Sequence, residues 1–145
     1  KFSDRSVAIG STQTGNPLSC AAGVAAISAM IEDKVVDNAA RLGVYLMKRL
    51  KELEAKHRLV GEVRGLGLLA TLELVKDRAT REPLVQWNAP DPLVGRIKAL
   101  FNERGVQIHV RSNQIVISPP LTITEAQLEE GLKAVDEVLT NLEAM

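Results

Sequence analysis

Between residues 10 and 17 the chain runs Gly10-Ser11-Thr12-Gln13-Thr14-Gly15-Asn16-Pro17, a glycine- and hydroxyl-rich stretch leading into a helix. Asn16 suits an N-cap, and Pro17 suits the first helical position, where a missing N–H costs nothing. The hydroxyls of Ser11, Thr12 and Thr14, nearby free N–H groups and the positive helix end suit a phosphate. A plain turn and cap fits the same residues. A second spot is Arg111, at the tip of a strand pair. A guanidinium there can hold a carboxylate through two parallel hydrogen bonds; taken alone, it reads better as a solvated turn arginine. The remaining reactive side chains are scattered. His57 and His109 have no partners at metal-ligand spacing and read as structural or solvated, so no metal site is expected. Cys20, in an alanine-rich helix, reads as a small core residue. Arg64 beside Gly65 could bind an anion, but reads better as half of a structural ion pair.

These residues need elements to position them. A helix over about 17–31 is dominated by small side chains, which let another backbone approach closely, and burial on several sides is expected. A second, amphipathic helix follows, from about Asp33 to His57. Ala39, Leu42, Leu46, Leu50 and Leu53 form its apolar stripe. Residues 60–74 read as one extended segment in which Gly65 and Gly67 mark a bulge or a close backbone contact. Leu68, Ala70, Leu72 and Leu74 share one face of it. Residues 76–91, charged and holding Pro83 and Pro90, read as a loop anchored by Trp87. Asp91-Pro92 opens a third helix with Leu93, Ile97, Leu100 and Phe101 inward, and Gly105 closes it. Residues 106–110 and 114–118 read as strands joined by a turn at 111–113. Thr124-Glu125-Ala126-Gln127 is a capping box, with Ile123 and Leu128 placed as a hydrophobic staple, and the last helix runs to about Leu142. The order predicts an α+β fold, helices packed on a small, largely antiparallel sheet.

Composition narrows the function classes. Eighteen Lys plus Arg balance eighteen Asp plus Glu across 145 residues. Zero net charge argues against nucleic-acid binding through bulk positive charge and against a polybasic membrane anchor. A single cysteine rules out an internal disulfide framework and fits a reducing, cytoplasmic setting. No apolar run approaches the roughly 18 residues that span a bilayer. The charged start Lys1-Phe2-Ser3-Asp4-Arg5 is unlike a signal peptide, and the missing initiator Met points to a front that has been removed.

Taken together the motifs carry a family resemblance. Gly10-Ser11-Thr12-Gln13-Thr14-Gly15-Asn16-Pro17-Leu18-Ser19-Cys20-Ala21-Ala22 resembles the G-S-T-x-x-G-N-P-L-x-C-A-A stretch of class III, omega-amino acid type aminotransferases. Val63-Arg64-Gly65-Leu66-Gly67-Leu68 resembles their V-R-G-x-G-L strand. Ser118-Pro119-Pro120-Leu121 with Ile123-Thr124 resembles their S-P-P-L-x-I-T segment before the final helix. The three matches come in the family order and cover essentially the whole chain.

The resemblance implies the C-terminal portion of a pyridoxal-phosphate enzyme of fold type I. Residues 1–32 would be the end of the large domain, with the cofactor-phosphate loop and a connecting helix; residues 33–145 would be the C-terminal small domain. The cofactor-bearing lysine and the groups that bind the cofactor ring would precede Thr12, leaving no catalytic residue in this chain and no activity for it alone. Thr12, with Ser11, would bind the cofactor phosphate across a homodimer interface. Arg111 is the nearest match to the arginine that holds a substrate carboxylate, although the turn to the following strand is short. Arg64 and its neighbouring glycines would be structural. The implied reaction moves an amino group between an amine or amino acid and a keto acid. The alternatives are an aminomutase or decarboxylase of the same family, and a non-catalytic α+β dimerisation or binding module.

Overall fold

Local chemistry sets where the helices start. The computed structural model describes residue 10 and residues 12–145. Asn16 caps helix α1 (Pro17–Glu32), its side chain accepting from the Ser19 N–H at 3.1 Å. Helix α2 (Val35–Lys56) follows. Asp91 caps α3 (Pro92–Asn102) by accepting from the Leu93 N–H at 2.8 Å. Thr124 and Gln127 close the expected capping box on α4 (Glu125–Glu143). Past α3, Gly105 sits at φ +70°, and its N–H and that of Val106 reach the carbonyls of Asn102 and Phe101. That pair of bonds ends the helix as a Schellman motif.

The strands are β1 (Val60–Leu66), β2 (Leu69–Asp77), β3 (Glu82–Pro83), β4 (His109–Arg111) and β5 (Gln114–Ile117). They pair antiparallel in the order β1-β2-β5-β4, with β3 added to β2. The segment 60–74 is therefore a hairpin, not one extended run. Leu66 pairs with Leu69 across a two-residue turn at Gly67-Leu68, and Gly67 sits at φ +57°. A left-handed residue at the first turn position suits the twist of a tight hairpin. The loop read over 76–91 also contains the short strand β3, whose Pro83 pairs with Val75.

The chain divides after Lys34 into two compact units. In the second unit, Leu42, Leu46, Leu50 and Leu53 of α2, Ile97 and Phe101 of α3, and Leu132, Val135 and Leu139 of α4 form one core with the sheet. Leu68, Ala70, Leu72 and Leu74 face this core, as their alternation predicts. The opposite face is wetter, with Arg64 exposed and Thr71 and Glu73 partly so. Gly43 of α2 allows the helix to lie against the hairpin turn: a Cβ there would stand 2.5 Å from the Cα of Gly67.

The first unit behaves differently from the expectation. No residue of α1 is buried; Leu18 is 80% exposed, and Cys20 is exposed rather than part of a core. Among the described residues of its unit, this helix of small side chains has no second layer to bury it. No helix among the described residues is long and apolar enough to cross a membrane.

Candidate functional site

The anion-suited loop keeps its anticipated form where it is described. Residues 12–15 form an exposed turn, Gly15 sits at φ +75°, and the Asn16 N–H bonds the Gln13 carbonyl at 3.2 Å. The turn runs directly into the N-terminus of α1, whose first turn carries no acidic residue. Threonine hydroxyls, glycine and a positive helix end without a competing carboxylate are a donor set that fits a phosphate. Ser11 lies outside the described residues.

Arg111 ends β4, beside the turn Ser112-Asn113. Ser112 is buried at φ +51°, and its hydroxyl accepts the Asn88 N–H at 3.1 Å. That bond fastens the segment after β3 to the turn. Trp87 then lies against Arg111, the guanidinium carbon 4.5 Å from the ring centroid, while Arg111 Nη2 donates to Asn88 Oδ1 at 3.5 Å. Trp87 is 54% exposed, so it is a surface stacking partner and not the packing anchor expected. Arg111 borders a hollow it shares with Pro90, Asp91, Pro92, Val94 and Gly95, at the start of α3. Arg111 and the loop before α1 belong to different units, and each is a candidate site by itself.

Arg64 and Arg49 have structural partners. Arg64 Nη1 donates to Glu73 at 2.7 Å, which, against the opposing effect of burial, holds the Glu73 carboxyl below its usual range. Arg49 does the same for Glu129 of α4, with help from the Tyr45 hydroxyl. His109 is exposed on the outer strand.

His57 has a role that its spacing in the sequence did not reveal. It is 2% exposed, with Nε2 2.6 Å from Asp136 and Nδ1 3.2 Å from Glu143, both on α4. Lys56 Nζ also donates to Asp136 at 2.7 Å, and Glu143 accepts the Leu59 N–H at 3.0 Å. Burial pushes both carboxyls up. For Asp136 the hydrogen bonds and charges of Lys56 and His57 outweigh this; for Glu143 the bonds from Leu59 and His57 do. Both carboxyls end below their usual range. The cluster ties the end of α2 to α4. Its partners lie about 80 residues apart, and no local motif announces it. Among the described residues no three His, Cys, Asp or Glu side chains gather as a metal site.

The sequence model of the family "Aminotransferase class-III" matches residues 3–139. The chain is 36% identical over 131 residues to taurine–pyruvate aminotransferase of Bilophila wadsworthia, covering 86% of this chain and 28% of that protein. It is 35% identical over 138 residues to leucine/methionine racemase of Thermococcus litoralis, covering 91% of this chain and 29% of that protein. Its structure is similar to taurine:2-oxoglutarate aminotransferase from Bifidobacterium kashiwanohense, solved with PLP and glutamate. The TM-score is 0.87 at 36% identity, over 99% of this chain and 32% of that one.

The chain belongs to the class III aminotransferase family. It spans under a third of the length of these relatives. Nothing in the matches favours a non-catalytic module that shares only the shape.

Proposed function

We propose that the chain is the C-terminal portion of a pyridoxal-phosphate-dependent aminotransferase, which moves an amino group between an amine or amino acid and a keto acid. The match over residues 3–139 carries this reading. On it, residues 1–32 close the large domain and residues 33–145 form the small domain of a cytoplasmic homodimer. α1, exposed along its length, offers a surface for the rest of the enzyme to cover.

The bound cofactor supplies an electron sink for the carbon that gains or loses the amino group. This chain's part is positioning. Thr12 and Ser11 hold the cofactor phosphate, serving the partner subunit's site, and the N-terminus of α1 adds a favourable field. Arg111 holds a substrate carboxylate and so sets which end of the substrate faces the reacting centre. The lysine that bears the cofactor and moves the proton belongs to sequence outside these 145 residues, which alone are inactive.

The test is direct. The complete enzyme, given an amine donor and a keto acid, should form the amino acid of that keto acid. Stripping pyridoxal phosphate should abolish the activity, and adding it back should restore it. Turnover unaffected by cofactor removal would sink the proposal.

A further inference from the structure

Most arginines of the second unit are spoken for. Arg41, Arg49, Arg64, Arg81 and Arg104 each reach a carboxylate within 3.1 Å. Arg111 reaches none among the described residues; its partners are an aromatic face and one side-chain amide oxygen. Trp87 is equally unusual. A large aromatic with 54% of its surface exposed gains little from burial, and the Arg111 guanidinium carbon lies over its ring. The loop that carries it is held in place independently, by the Asn88–Ser112 bond. Two residues on that loop therefore meet one guanidinium: the Trp87 ring, with Cζ over it, and the Asn88 amide oxygen, at Nη2.

We infer that Trp87 is a positioning residue for Arg111, holding the guanidinium so that its remaining in-plane donors meet a substrate carboxylate. An indole that holds the guanidinium carbon over its ring fixes the cation's position without consuming its N–H groups, which a carboxylate can then bind bidentately. The indole also removes rotational freedom that Arg111 would otherwise lose on binding. Asn88 takes one Nη2 donor through a long contact and leaves Nε and Nη1 without an acceptor among the described residues. The inference rests on the reading of Arg111 as the carboxylate clamp.

Two measurements test it. Trp87 is the single tryptophan of the sequence, so the emission of the 145-residue chain reports its surroundings alone. Arg111→Gln should change the emission intensity or wavelength, whereas Arg81→Gln, which removes a charge elsewhere, should not. Emission unchanged by Arg111→Gln overturns the inference. In the complete enzyme, Trp87→Ala should raise KM about two- to fivefold for an omega-amino acid, with kcat held. It should leave KM unchanged for the alkylamine lacking the carboxylate, and Trp87→Phe should restore most of the loss. An unchanged KM for both donors, or an equal rise for both, overturns the positioning role. Arg111→Gln in the same enzyme separates the two ideas. If it spares the omega-amino acid, the clamp itself is wrong and the inference falls with it. If it raises that KM and Trp87→Ala does not, only the positioning role falls.

Discussion

Gly43 and Gly67 meet backbone to backbone: a Cβ built on Gly43 would lie 2.5 Å from the Gly67 Cα and 2.7 Å from its carbonyl oxygen. Helix α2 thus seats directly on the β1–β2 turn, and both partners are rigid main chain. Gly43→Ala should cost about 1–3 kcal/mol, the usual range for overpacking a fitted contact. The denaturant midpoint of the chain should fall with an unchanged slope. A midpoint equal to that of the wild type would show that helix and turn separate freely.

The His57 cluster should make stability fall in acid. Asp136 and Glu143 have folded pKa values below their unfolded ones, of about 4. For carboxyls depressed on folding, the stabilisation is complete above about pH 5 and is lost as pH falls through the folded values. His57→Gln keeps a polar side chain but breaks the contacts of the two ring nitrogens with Asp136 and Glu143; it should destabilise by about 1.5–3 kcal/mol at neutral pH. It should also flatten the acid limb. Urea unfolding followed by circular dichroism from pH 7 to pH 3 measures both. An acid limb of unchanged steepness in the variant would exclude the cluster as its source.

Thr12→Ala should weaken cofactor retention in the complete enzyme by about 1.5–3 kcal/mol, one hydrogen bond to a charged group. Thr12→Ser keeps the hydroxyl and should be mild. Equilibrium dialysis against free pyridoxal phosphate reads this. Heterodimers of a Thr12→Ala subunit and a subunit lacking the cofactor-bearing lysine test the cross-subunit role. If Thr12 serves the partner, both lesions fall in one site, and about half the wild-type activity should return, from the one intact site of two. Persistently low activity would place the hydroxyl in its own subunit's site.

Arg111→Ala should raise KM about ten- to a hundredfold for carboxylate-bearing substrates and spare simple amines. Such a loss corresponds to about 1.5–3 kcal/mol for a charge-assisted, bidentate bond. Steady-state kinetics with paired donors, identical but for the carboxylate, checks it. Equal losses for both would remove the clamp role.

Features set by nearest neighbours can be read directly along the chain. Asn16, Asp91 and Thr124 cap their helices because a short polar side chain reaches N–H groups two or three residues on, a geometry complete within one turn. The stripe of α2 and the alternation from Leu68 to Leu74 are legible because side-chain direction follows backbone period. The Thr12 loop is legible for the same local reason. Other features need segments far apart in the chain to meet. Whether residues 60–74 run straight or fold at Gly67 depends on β5, which pairs with β2 from some 45 residues away, and on Gly43 of α2. The partners of His57 lie on α4, and Trp87 becomes Arg111's stacking face only because Ser112 anchors the intervening loop. Such pairings depend on distant segments meeting at one registry, which no stretch of sequence period contains.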